Sequence, residues 1–125
     1  MNKRDFQLQG DFRIFEPELL AGEPNYVTEH TEYGIHYHLD FSRVFWNSRL
    51  CEVHKQVVSK LGARSVVFDA FCGVGPFLMP AVKFKKVLCA YANDLNPMSI
   101  HYLRETVKRN KVSLSCGLGK VAFNL

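Results

Sequence analysis

The sequence predicts an α/β fold whose later part begins a doubly wound parallel sheet, preceded by a small β-rich segment. Three observations carry this. The hydrophobic period changes from two to three and four at Asn47-Ser48, two continuous apolar runs at 65–71 and 86–92 are each followed by a helix-like stripe, and a glycine turn, Cys72-Gly73-Val74-Gly75-Pro76, links the first run to its helix.

Residues 1–46 form the first unit. Its apolar runs are short and broken by turn signals at Glu16-Pro17, Gly22-Glu23-Pro24-Asn25 and Tyr33-Gly34. Residues 34–41 alternate apolar with polar side chains, as a half-buried strand does. The second unit is 47–125, the amino-terminal half of a Rossmann-like domain. It starts with an amphipathic helix over 49–61, because Leu50, Val53, Val57, Val58 and Leu61 share one face and Gly62 supplies a stop. The run 65–71 is rich in β-branched residues and reads as a strand covered on both faces. Phe77, Leu78, Met79, Ala81 and Val82 then form a short buried helix, and 86–92 a second buried strand ending in Asn93-Asp94. Asn96 and Pro97 are a helix start, with Asn as N-cap and Pro at the first helical position, and Ile100, Leu103 and Val107 give that helix its stripe. After Lys111 the pattern weakens, and 120–125 begins a third strand.

Strands alternating with helices imply parallel pairing. With two complete strands the sheet is unfinished, so stripes such as Ile100, Leu103 and Val107 are expected to be partly exposed and the chain alone to be neither fully stable nor active. A chain of 125 residues, 47% hydrophobic and 22% charged with ten Phe, is a packing globular sequence of one domain at most. It has no apolar stretch of signal-peptide or membrane-spanning length, so a soluble, monomeric, intracellular protein without membrane contact is expected, in cytoplasm, mitochondrial matrix or nucleus. Cys51, Cys72, Cys89 and Cys116 contain no Cys-x-x-Cys pair, so they are read as reduced thiols and no metal site is indicated. A net charge of +4 is compatible with a nucleic-acid partner and equally with none.

Asp69, Gly73 and Gly75 fall where an α/β fold brings backbone close to a ligand, at the carboxyl end of a strand. Asp94 ends the next strand, placed to accept hydrogen bonds from ribose hydroxyls. A third glycine for a dinucleotide fingerprint would fall at Leu78. Its absence argues against a pyrophosphate and leaves an adenosyl ligand such as S-adenosylmethionine. Singly, the glycines also fit a plain tight turn and Asp94 a cap; their placement at two adjacent strand ends points to a ligand.

Four motifs in order, Phe12-Arg13 with 18–23, Asp40-Phe41-Ser42-Arg43-Val44-Phe45-Trp46-Asn47-Ser48-Arg49-Leu50, Asp69-Ala70-Phe71-Cys72-Gly73-Val74-Gly75-Pro76-Phe77 and Asn93-Asp94-Leu95-Asn96-Pro97, resemble the tRNA (guanine37-N1)-methyltransferase family of eukaryotes and archaea. The resemblance covers about residues 11–112. It implies a Rossmann-like class I S-adenosylmethionine-dependent methyltransferase that methylates N1 of guanine 37 of tRNA. By that resemblance Asp69, Phe71, Gly73, Val74, Gly75 and Pro76 line the methionine and ribose side of the cofactor, and Asp94, Leu95 and Asn96 surround the adenosine. Arg13 is expected to stabilise charge on guanine O6 as N1 loses its proton, while Trp46 and Arg49 hold the target nucleotide.

The pattern departs at one place. Where the family carries a Glu as general base, this sequence has Val53, with Glu52 one step earlier and His54 one later. One helical step turns a side chain by about 100°. Either Glu52 serves through a local shift or the base is lost, which leaves a non-catalytic RNA-binding remnant as an alternative. Another is the related wybutosine-synthesis enzyme, which moves the aminocarboxypropyl group of the same cofactor. His54, as a lone helical histidine, is read as a surface or structural residue.

Overall fold

The structure, a computed structural model, describes residues 2–3, 7–9, 12–14, 17–112 and 120–123. Two short antiparallel pairs open the chain, β1 (Asn2–Lys3) with β4 (Pro17–Glu18) and β2 (Gln7–Gln9) with β3 (Phe12–Ile14). A longer hairpin follows, β5 (Val27–Glu32) and β6 (Ile35–Asp40). Its two-residue turn holds Tyr33 at φ 47° and Gly34 at φ 74°, the paired positive angles that match hairpin twist.

Asn47 caps a 3-10 turn, Ser48–Leu50, by accepting from Arg49 N at 3.1 Å, and the turn runs into α1 (Cys51–Ser59). Next come β7 (Val66–Asp69), α2 (Leu78–Lys83), β8 (Cys89–Ala92), α3 (Pro97–Arg109) and β9 (Lys120–Phe123). The last three strands form a parallel sheet in the order β7-β8-β9. Asn96 caps α3 through Met98 N at 3.0 Å, with Pro97 at the first helical position, as expected. The second strand starts later than 86 because Lys86 takes φ 51°, which breaks extended backbone ahead of Cys89. Cys116 and the weak stretch 113–119 lie outside the described residues.

Two expectations are corrected. The stripe Ile100, Leu103 and Val107 is buried, at 2%, 0% and 3% exposure. The sheet is not its only partner: β6 lays Ile35, Tyr37 and Leu39 into the same core as α3. A polar clamp fixes that contact, since Asn110 Oδ1 accepts from His36 N at 2.9 Å while its Nδ2 donates to His36 O at 2.8 Å, as a neighbouring strand would. Lys83 Nζ adds a bond to Gly34 O at 3.0 Å. Second, β7 is covered on one face only. Val66 and Phe68 are 62% and 67% exposed, and Phe68 pairs in register with the exposed Tyr91 of β8. Among the described residues all the helices that pack on the sheet lie behind its other face, where Ala90 and Ala92 are buried.

Candidate active site

The parallel register aligns Asp69 with Ala92, so the loops that follow β7 and β8 run side by side. Backbone bonds continue the pairing past the strands: Asn93 N donates to Asp69 O and Cys72 N to Asn93 O, both at 2.9 Å. Gly73 N then donates to Asp94 Oδ2 at 2.8 Å, and Asn96 N to Asp94 Oδ1 at 2.9 Å. Asp94 is therefore both the cap of its own loop and the tie to the glycine turn. Each carboxylate oxygen has lone pairs for a second donor, which leaves Asp94 able to accept from a ligand as well.

The two glycines do different work. Gly73 has φ 53°, and a Cβ built on it meets nothing within 4 Å, so its side faces open space. Gly75 has φ 89°, and a Cβ there would lie 2.5 Å from Leu103 Cδ1 and 3.2 Å from Met79 Cγ. Close packing against α3, rather than ligand approach, demands glycine at 75.

Asp69 Oδ1 accepts from Phe71 N at 3.2 Å, while its Oδ2 is buried with no partner among the described residues. Burial raises the Asp69 carboxyl above the ordinary carboxylate range, the Phe71 N–H opposes this, and nearby Asp94 adds to it. Burial, then the charges of Asp94 and Asp69, push the Cys72 thiol up to about 12, so it is no nucleophile at neutral pH. Phe71, 89% exposed, and Leu95, 71% exposed, are apolar groups on the same pair of loops. A lone buried acceptor, an open glycine and exposed apolar side chains on two adjoining loops suit a ligand with a cationic amine and a flat ring.

Other expected site residues are placed differently. Val74 is buried in the core. Asn96 is spent on structure, its Nδ2 donating to Arg43 O at 2.7 Å and its Oδ1 capping α3. Trp46, 3% exposed, is packed among Tyr37, His30 and His54 instead of on a nucleotide-facing surface. Arg49 is exposed at the 3-10 turn. Pro76 is half-buried at the head of α2. Arg13 pairs with Leu8 in the β2–β3 ladder, and its side chain lies outside the described residues.

Where a Glu base is expected, Val53 is 48% exposed, and the neighbouring Glu52 accepts from the Tyr33 hydroxyl at 2.7 Å, which raises the Tyr33 pKa. His54 is not on the surface. It is 4% exposed, with Nδ1 bonded to Glu32 Oε1 at 2.7 Å and its ring edge-on to Phe77 at 4.9 Å. This buried pair had no clear sequence signal: β5 turns Thr28, His30 and Glu32 inward, an alternation without hydrophobes.

A parallel sheet with a glycine turn and an acidic residue at adjacent carboxyl ends defines a Rossmann-like class I methyltransferase fold. The chain belongs to the TRM5/TYW2 methyltransferase domain family, which matches residues 28–117. It is 52% identical over 101 residues to the tRNA (guanine(37)-N(1))-methyltransferase of Candida albicans (strain SC5314 / ATCC MYA-2876), covering 81% of this chain and 22% of that protein. The Caenorhabditis elegans protein of the same name is 48% identical, covering 81% and 21%. The chain thus spans about a fifth of the length of these curated relatives. Among solved structures, Trm5b of Pyrococcus abyssi superposes with TM-score 0.77 at 34% identity, over 96% of this chain and 34% of that one. The aTrm5–tRNALeu complex gives 0.79 at 31%, over 98% and 39%. TYW2 of M. jannaschii in complex with AdoMet gives 0.70 at 32%, over 84% and 47%.

Proposed function

We propose that this chain carries the cofactor-binding part of a methyltransferase that transfers a methyl group from S-adenosylmethionine to N1 of guanine 37 in tRNA. The observation that carries the reading is the tie between the loops that follow β7 and β8. Gly73 is tied to Asp94 while its own side stays open, and Asp69 offers a buried, unpartnered oxygen. The tRNA complex and the AdoMet complex among its structural neighbours support the same substrate and cofactor.

When bound, S-adenosylmethionine supplies an electrophilic methyl group on its sulfonium. In this proposal Asp69 Oδ2 takes the ammonium of the methionine end, Gly73 and the backbone of Val74, Gly75 and Pro76 cradle the ribose side, and Asp94 accepts from the ribose. Phe71 and Leu95 exclude water beside the adenosine, and Asn96 shapes that loop from beneath. Arg49 takes a phosphate of the target nucleotide and Arg13 the charge that grows on O6. Glu52 is the group assigned to hold the N1 proton, with Tyr33 fixing its carboxylate. Trp46 supports this segment from the core.

The test is to replace the equivalent segment of Pyrococcus abyssi Trm5b with residues 28–117 of this chain and assay methyl transfer to transcripts with guanine or adenine at position 37. Guanine-dependent turnover that Glu52→Gln lowers by at least about tenfold supports the reading. A hybrid that binds cofactor yet gives no product favours the non-catalytic remnant, for which the exposed Val53 is the observation. The shared TRM5/TYW2 domain and the TYW2 neighbour favour aminocarboxypropyl transfer as a second reading, and mass analysis of the product nucleoside separates the two.

A further inference from the structure

The positive charge of the chain is unevenly placed. From Val53 to Asn93 six Lys and Arg stand against one acid, Asp69, a net of +5, so the rest of the chain is −1 and the whole excess of +4 is carried by this stretch. Asp69 ends β7, whereas the cations gather at the opposite, amino end of the parallel sheet. Arg64 and Lys86 precede β7 and β8, and Ser65 O accepts from Leu88 N at 2.9 Å, so the two segments enter the sheet side by side. Lys60 caps the carboxyl end of α1, and Lys85 lies just beyond that of α2. Lys55, Phe84 and Lys85 border one hollow beside both helices.

Lys83 is engaged in the fold, donating to Gly34 O and Asn110 Oδ1. The other five cations take part in none of the ion pairs among the described residues. Cations complement helix carboxyl ends, which accounts for Lys60 and Lys85 but not for Arg64 and Lys86, both exposed and outside helices. Like charges gathered without counter-charges repel one another, and a polyanion relieves that repulsion while releasing its own counterions. One aromatic stands among them. Phe84 is 51% exposed, with Lys83 Nζ 5.4 Å from its ring centroid and Lys85 next in the chain. An exposed ring flanked by cations stacks on an unpaired base while the cations take the neighbouring phosphates. An acidic peptide would match the charge and gain nothing from the ring.

We propose that this end of the sheet is a contact surface for single-stranded RNA, with Arg64, Lys85 and Lys86 on phosphates, Phe84 stacked on a base, and Lys55 and Lys60 extending the charged rim. It shares no residue with the crevice or with the groups assigned to guanine 37. Contacts to phosphates and ring faces read no sequence. The surface stands without the methyl-transfer reading, because its test uses neither guanine nor cofactor.

Fluorescence anisotropy of the 125-residue chain with a labelled single-stranded oligouridylate, followed between about 50 and 200 mM salt, is that test. Affinity is expected to fall with a log–log slope of about −2 to −3.5, as for about three to five phosphates neutralised on a single strand. Arg64→Gln combined with Lys86→Gln should flatten the slope by about 1.4. Arg104→Gln combined with Lys108→Gln, on α3, lowers the net charge equally and should leave the slope nearly unchanged. Phe84→Ala should weaken binding by about fivefold or more at every salt concentration without altering the slope. Polyglutamate, and vesicles containing phosphatidylserine, each matched to the RNA in negative charge, should compete poorly. Absence of RNA binding, equal flattening by the two double variants, or unchanged affinity in Phe84→Ala overturns the proposal. So does full displacement by polyglutamate or by the vesicles, which would assign the surface to an acidic protein or to a membrane.

Discussion

Alanine at Gly75 and alanine at Gly73 should differ sharply in their effect on stability, although both glycines sit at positive φ in one turn. At Gly73, φ 53° is within the region an L-residue reaches at about 1–2 kcal/mol, and the new methyl meets nothing within 4 Å. At Gly75 a similar backbone term is joined by a methyl placed 2.5 Å from Leu103 Cδ1 and 3.2 Å from Met79 Cγ. Both neighbours are 0% exposed, so neither can swing into solvent to make room. Overpacking of this kind costs about 1–3 kcal/mol. The sum for Gly75→Ala is therefore about 2–5 kcal/mol, against about 1–2 for Gly73→Ala. Urea denaturation followed by Trp46 fluorescence and circular dichroism measures both. Equal losses, or a larger loss at Gly73, would refute the assignment of Gly75 to packing and Gly73 to an open cradle.

The other predictions concern single contacts. Asp69→Asn should raise stability, because Asp69 is held above its unfolded pKa; its destabilising effect is absent below the ordinary carboxylate range and grows as pH rises towards the folded value. The advantage of the variant in thermal midpoint should thus widen with pH across that window, and a constant difference would contradict the burial argument. Asn110→Ala removes the hydrogen bonds that hold His36, and should cost about 1–3 kcal/mol in a denaturant titration; a loss below about 0.5 kcal/mol would mean the hairpin is held by apolar contact alone. Cys72, raised to about 12, should resist iodoacetamide at pH 8 in the native chain and react on unfolding, as peptide mapping would reveal. Rapid native labelling of Cys72 would count against its burial.

Much of this architecture is legible in the sequence because it rests on short-range signals. The Asn96-Pro97 start of α3, the glycine turn after β7 and the approach of Gly73 to Asp94 each follow from local residue chemistry plus the rule that ligands meet strand carboxyl ends. What was not legible depends on long-range contact. The stripe of α3 looked unpartnered because nothing local says that β6, some sixty residues earlier, supplies its cover. Conversely, an apolar run such as 65–71 cannot show which of its faces is covered, and Val66 and Phe68 are exposed here. Glu32 and His54 are twenty-two positions apart, and only folding makes them a buried pair. Trp46 shows the same dependence on folding: nothing local in its motif tells that it packs at 3% exposure against Tyr37, His30 and His54.

The central claim is that the crevice of Asp69, Gly73 and Asp94 binds S-adenosylmethionine, and calorimetric titration of the chain and of Asp94→Ala with that compound tests it most directly. Charge-assisted hydrogen bonds contribute about 1.5–3 kcal/mol, so one site per chain is expected, with a loss of about tenfold to a hundredfold in affinity for the variant. Saturable binding that Asp94→Ala leaves unchanged would show Asp94 to be only the structural tie between the two loops, and absence of binding to the wild-type chain would contradict the cofactor assignment itself.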